Sequence, residues 1–180
     1  MKILVYIQSA EEKINQISLE SLVSAQQLKK EKSAQIHAVT FSTNIASKLS
    51  QYDIDSVIHV NDNNLQEYSP LYYIETFNQL SSELNPDLII FGHTYETRDW
   101  VPRLSARLDI PFLSDCVGMS VNDTISYTRS LYQNKINTDL SIPSGSAIIS
   151  FQSGAYKVDS LKQGSCNVEQ MNVDLSSVEN

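Results

Sequence analysis

Asn85-Pro86-Asp87-Leu88-Ile89-Ile90-Phe91-Gly92 sets four consecutive apolar residues between a helix stop and a glycine. So short an apolar run, with no polar alternation, reads as a strand buried on both faces at the centre of a parallel sheet. The flanking segments fit that placement. Ser69-Pro70 opens a helix, with Ser as N-cap and proline at the first helical position. Leu71, Ile74, Phe77, Leu80 and Leu84 carry its apolar stripe, and Asn85-Pro86-Asp87 ends it. Past the strand, residues 97–108 read as a helix with Trp100, Val101, Leu104 and Leu108 in phase. Ile110-Pro111 stops that helix, and residues 112–117 resume as strand.

Toward the N-terminus the same two periods alternate. Residues 2–8, 35–41 and 56–60 read as strands. Residues 18–32 read as a helix with Leu19, Leu22, Val23, Gln26 and Leu28 along one stripe. Lys29, Lys30 and Lys32 lie at its C-terminal end, where the helix dipole favours cations. Residues 44–52 form a short helix with Asn44 as N-cap. Residues 61–68 form an Asn-rich loop. This alternation predicts an α/β fold, a Rossmann-like three-layer parallel sheet with helices on both faces and right-handed crossovers.

The C-terminal third reads differently. Residues 124–132, 136–142 and 147–151 are strand-like, separated by the turn signals Val121-Asn122-Asp123, Gln133-Asn134 and Pro143-Ser144-Gly145. With no helical pattern between them, all three are expected as antiparallel strands beside the parallel sheet. Val168, Met171, Val173 and Leu175 are spaced like a last edge strand or linker. The reading is a single α/β domain over residues 1–163 with an edge strand or linker over 164–180.

Composition narrows the function classes. The chain has 180 residues, with 13 Lys plus Arg against 21 Asp plus Glu and a net charge of −8. A chain this acidic is a poor partner for nucleic acid or an anionic membrane. No apolar run approaches the ~20 residues of a membrane span. The apolar start, Met1 to Ile7, stops at Gln8-Ser9, too short for a signal peptide, so the expected location is cytoplasmic. Cys116 and Cys166 lie far apart, which fits two reduced thiols, and His37, His59 and His93 are too scattered for a structural zinc.

Open parallel sheets bind ligands at the carboxyl ends of their strands. Gln8-Ser9-Ala10-Glu11-Glu12 follows the first strand without a glycine. The five glycines, Gly92, Gly118, Gly145, Gly154 and Gly164, make no phosphate-binding fingerprint. Gly92-His93-Thr94-Tyr95-Glu96-Thr97-Arg98 offers a His, hydroxyls and an Arg at a helix N-terminus, where an anion or cofactor contact competes with a simply capped helix. Arg103 and Arg107 share a helical face and read as surface or interface ion pairs. No Gly-x-Ser-x-Gly elbow exists, Ser153-Gly154 reads as a turn, and no catalytic, cofactor-binding or metal-binding residue is assigned. Tyr72-Tyr73 reads as packing more than ligand stacking.

Residues 86–92, the segment Arg98-Asp99-Trp100-Val101-Pro102-Arg103-Leu104-Ser105-Ala106-Arg107-Leu108, and Ile110-Pro111-Phe112-Leu113-Ser114-Asp115-Cys116-Val117 together resemble the electron-transfer flavoprotein alpha subunit family. That family carries a Pro-Arg-Leu-Ala-Ala-Arg-Leu-like helix followed by a Ser-Asp strand. Thr128-Arg129-Ser130-Leu131-Tyr132-Gln133-Asn134-Lys135-Ile136 resembles its Arg-Pro-Ile-Tyr-Ala-Gly-Asn-Ala hairpin. Ser130 replaces the Pro and Asn134 the Gly, and Asn keeps access to positive φ.

The resemblance implies the N-terminal α/β domain of a two-domain subunit, an electron-carrier component and not an enzyme. FAD would sit in a C-terminal domain with a Val-Ser-Gly-Gly-Arg-Gly-type signature, which this sequence lacks. This domain would hold no cofactor itself. It would pair with a beta subunit, and the heterodimer would pass electrons from acyl-CoA or other dehydrogenases to a quinone reductase. Arg98, Asp99 and Arg103, then Asp115 and Arg129, are the expected interdomain or subunit contacts. Two other readings compete: a stand-alone adenine-nucleotide-binding protein of the universal-stress-like class, and a small hydrolase. The hydrolase needs a Ser or Cys within reach of His93.

Overall fold

The computed structural model describes residues 1–142 and 145–178. Part of the turn read at Pro143-Ser144-Gly145, and Glu179-Asn180, lie outside the described residues.

Strand β1 (Lys2–Tyr6) is followed by a small hairpin, β2 (Ser9–Ala10) and β3 (Lys13–Ile14), and by helix α1 (Gln16–Lys32). Then come β4 (Gln35–Thr40), α2 (Thr43–Leu49), β5 (Ser56–Val60), α3 (Pro70–Leu84), β6 (Leu88–Gly92) and α4 (Tyr95–Leu108). The last third holds β7 (Phe112–Val121), β8 (Ile125–Leu131), β9 (Ile136–Ser141), β10 (Ala147–Phe151) and β11 (Asn167–Met171). Nine strands form one sheet in the order β11-β5-β4-β1-β6-β10-β7-β8-β9. All pairings from β11 to β7 are parallel, and β8 and β9 continue antiparallel. This is the α/β architecture read from the alternation of periods.

One strand departs from the reading. Residues 147–151 do not join the antiparallel group; β10 lies parallel between β6 and β7. All five of its residues are buried, as are all five of β6. A strand sealed on both faces carries no polar alternation, and Ala147-Ile148-Ile149-Ser150-Phe151 resembles Leu88-Ile89-Ile90-Phe91 in all but the single Ser150.

The sheet's two faces carry different cores. On one, Tyr6, Phe41, Tyr73, Phe77, Phe91 and Trp100 pack ring against ring beneath α3 and α4. On the other, α1 lies against β1, β4, β6 and β10 through a small, polar-flecked face. Ser18, Ser21, Ser24 and Ala25 are buried there, whereas Leu19 and Val23 are only half-buried. The hydroxyls are satisfied locally: Ser21 donates to Ile17 O (2.9 Å), Ser24 donates to Ser21 O (2.6 Å), and Ser18 accepts from Gln8 N (3.0 Å). Leu71 of the expected α3 stripe is exposed, and Tyr73 takes a buried place instead. The N-cap of α2 is Ser42, not Asn44; Asn44 lies within the helix and donates to Glu12 Oε1 at 2.6 Å.

Close approach of α1 to β6 depends on Gly92. A Cβ there would meet Ile17 Cγ2 at 2.7 Å. At Gly164 a Cβ would meet the Asp53 backbone, Cα at 2.7 Å and N at 2.9 Å. A side chain yields more readily than backbone. Gly92→Ala is therefore expected to cost about 1–3 kcal/mol of stability and Gly164→Ala at least as much. Urea unfolding of the two variants measures this, and a neutral Gly92→Ala would contradict it.

Candidate functional site

The chain turns back on itself in the sheet between β1 and β6: β1 leads to β4 on one side, and β5 leads across to β6 on the other. Ligands of open α/β sheets enter at such a point. There Ile17 closes on Gly92, and the β2–β3 hairpin turns at Glu11 and Glu12, both at positive φ, its tip held to α2 by Asn44 Nδ2 on Glu12 Oε1 (2.6 Å) and Lys48 Nζ on Glu12 O (2.7 Å).

The polar constellation sits one step along, past the carboxyl ends of β6 and β10. His93 N donates to Phe151 O at 2.8 Å, which extends the strand pairing by one residue. Thr94 then caps α4 by accepting from Thr97 N (3.2 Å), and Thr97 Oγ1 donates to Gly92 O (2.7 Å). His93 is thereby fixed with its ring toward β10, where Nδ1 lies 2.9 Å from Ser150 Oγ. Ser150 Oγ also accepts from Asp115 N at 3.1 Å. Ser150 Oγ thus bridges His93 Nδ1 and the Asp115 N–H. Nε2 stands 3.8 Å from Asp115 Oδ1.

Asp115 reaches this position because the pairing of β7 with β10 slips by one residue between Ile149 and Phe151. Asp115 takes φ 59° at the slip, a left-handed conformation that Asp tolerates. Burial pulls the His93 pKa below its ordinary value; Asp115 works against that, and Arg98 and Arg129 add to it. Burial pushes the neighbouring Cys116 thiol up to about 11, so it stays protonated.

The residues singled out from sequence divide into two groups. Asp115, Arg98 and Arg129 surround His93. Arg98 also lies over the exposed Tyr95 ring, 5.2 Å from its centre. Asp99 and Arg103 belong elsewhere on α4. They pair with each other at 2.8 Å, and Tyr68 Oη donates to the other Asp99 oxygen at 2.7 Å. Arg107 pairs with Glu75 at 2.9 Å. Sequence reasoning missed Ser150, the one polar residue in a five-residue buried run, and Tyr68, whose partner lies 31 positions away.

A serine does lie within reach of His93, as a hydrolase would require. Ser150, however, has no exposed surface and spends its oxygen on the Asp115 N–H, so it cannot meet a substrate carbonyl. The group is a structural clasp. Among the described residues no cluster of three or more His, Cys, Asp or Glu could hold a metal, and no helix is long and apolar enough to cross a membrane.

Residues 3–176 match the family model described as "Electron transfer flavoprotein domain". The chain belongs to this family. It is 35% identical over 92 residues to the electron transfer flavoprotein subunit alpha of Bacillus subtilis, covering 51% of this chain and 28% of that protein. It is 22% identical over 179 residues to the Protein FixB of Clostridium saccharobutylicum, covering 96% of this chain and 54% of that protein. It is 26% identical over 136 residues to the subunit alpha of Thermoanaerobacterium thermosaccharolyticum, covering 73% of this chain and 41% of that protein. The chain thus spans about half the length of these curated relatives, or less. The electron transfer flavoprotein domain it forms is of the alpha-subunit type that the resemblance over residues 86–136 implies.

The clasp generates a test. His93 folds with a lowered pKa, so its contribution to stability is present above the ordinary value of 6.5 and is lost as pH falls below it. His37 and His59 are lowered in the same direction by burial. Stability is expected to fall between pH 7 and pH 5, with part of that slope removed in His93→Gln. Ser150→Ala leaves Nδ1 and the Asp115 N–H unpaired and is expected to cost about 1–3 kcal/mol. Denaturant melts across pH read both effects.

Proposed function

We propose that this domain is the N-terminal, largely structural part of an electron-transfer flavoprotein alpha subunit. It is a component of an electron carrier and not a catalyst. It assembles with a beta subunit in the cytoplasm and positions an FAD-carrying domain, through which electrons pass from acyl-CoA or other dehydrogenases to a quinone reductase. Residues 1–163 are the body of the domain, and 164–180 form the edge segment that leads toward the FAD-carrying unit.

The family match over residues 3–176 carries this reading. The close packing of Ile17 on Gly92 at the carboxyl end of β6 supports it, as does the lack of a glycine-rich phosphate fingerprint in the sequence. Of the five proposed contact residues, Asp99 and Arg103 neutralise each other. Asp115 faces His93. Among the described residues Arg98 and Arg129 make no ion pair, which leaves these two cations for a partner's acidic groups.

Mixing the domain with an electron-transfer flavoprotein beta subunit tests the reading by sedimentation. A one-to-one complex is expected, weakened roughly tenfold or more by Arg98→Glu or Arg129→Glu. Calorimetry with ATP and with FAD on the domain alone is expected to show no binding. Tight ATP binding without beta-subunit association would overturn the proposal in favour of the nucleotide-binding alternative.

A further inference from the structure

The aromatic face holds the chain's single tryptophan at the centre of a set of contacting rings that leads to the surface. Trp100 is fully buried and meets Tyr73 edge-on at 5.7 Å between ring centres. Tyr73 meets Tyr68 edge-on at 5.4 Å. Tyr68 is 38% exposed, and its phenol donates to Asp99 Oδ2 at 2.7 Å. Arg103 holds the other Asp99 oxygen at 2.8 Å.

The rings differ in what they can do with a proton. An oxidised indole or phenol becomes a strong acid, and the radical settles where that proton has an acceptor. Trp100 Nε1 has no hydrogen-bond partner among the described residues. Tyr6 and Tyr73, both buried, hydrogen-bond with each other. Phe77 and Phe91, which also touch Trp100, carry no ionisable proton. Among Trp100, Tyr6, Tyr73 and Tyr68, only Tyr68 has a carboxylate on its hydroxyl.

We propose that this set of rings is a radical-transfer route that carries an oxidising equivalent from buried Trp100 through Tyr73 to Tyr68 at the surface. A one-electron oxidant takes an electron from Trp100 and is itself reduced, leaving the indole radical cation. Tyr68 returns an electron to Trp100 by way of the Tyr73 ring. In the same step the Tyr68 phenol proton passes to Asp99. The products are neutral Trp100, a neutral tyrosyl radical at Tyr68 and protonated Asp99. A small thiol or ascorbate then reduces the exposed radical, and Asp99 gives its proton back. The route removes a damaging equivalent from the core, and the one bond it breaks, the Tyr68 O–H, is restored when Asp99 returns its proton. It does not rest on the flavoprotein assignment, since any one-electron oxidant feeds it.

With one tryptophan in the sequence, a laser pulse that photoionises Trp100 in the intact chain starts the process selectively, an electron scavenger being present. Transient absorption follows the indole radical, and freeze-quench electron paramagnetic resonance follows the tyrosyl radical. The tyrosyl signal is expected to rise as the indole signal decays, with slowing in deuterated solvent. Tyr68→Phe is expected to cut the tyrosyl yield and Asp99→Asn the transfer rate, each roughly tenfold. Tyr132→Phe, an exposed tyrosine outside the ring set, is expected to change neither. An unchanged tyrosyl yield in Tyr68→Phe, or an unchanged rate in Asp99→Asn, overturns the proposal. Asp99→Asn alters no ring and lies on the exposed face of α4, so the proton-acceptor test holds even if Tyr68→Phe is poorly folded.

Discussion

The parallel pairing of β10 with β6, which sets Ile148 opposite Ile89 and Ser150 opposite Phe91, is the interaction on which the rest depends. It seals the middle of the sheet on both faces. It also delivers the chain from the antiparallel extension back into the core. At its carboxyl end it places Ser150 beside His93, and the slipped pairing with β7 brings Asp115 to both. Buried polar groups cost free energy unless they are bonded, so Ser150, His93 and the Asp115 N–H make one another tolerable. The clasp therefore locks three chain segments together.

The two faces of the sheet solve the packing problem in different ways. Beneath α3 and α4 the space is filled by large rings in tilted and edge-on contacts, each adding about 0.5–1.5 kcal/mol beyond its buried area. Beneath α1 the approach is close, and Ser21, Ser24 and Ala25 sit among the larger Ile17, Leu22 and Leu28. Helix α1 seats Ile17 on Gly92 and buries Ser21 and Ala25 of its own face. The Glu20 carboxylate, itself buried, accepts from Gly154 N at 2.6 Å and ties the segment after β10 to α1.

Local chemistry made much of this fold readable. Pro70 at the first turn of α3, the lysines at the end of α1 and the unbroken apolar run of β6 act within a few residues of themselves, and the structure shows each of those elements. Where the reading strayed, the competing interaction was distant or two residues off. Asn44 and Ser42 are both good caps, and the end of β4 at Thr40 favoured Ser42. Leu71 is in phase with the α3 stripe, yet Tyr73 reaches the ring cluster and Leu71 does not. For the clasp, the sequence offered His93 at a strand end and Asp115 in a Ser-Asp strand, but nothing that joined them to Ser150.

The sequence by itself determined the alternation of strands and helices, the burial of the central strand and the absence of a glycine cradle, because each is written in contiguous residues. Only the tertiary structure decided the direction of β10, the packing of Ile17 on Gly92 and the meetings of His93 with Ser150 and of Tyr68 with Asp99. Those depend on which strand lies beside which and on a one-residue slip in register. Pairing partners tens of positions apart leave no mark on the local pattern of either one.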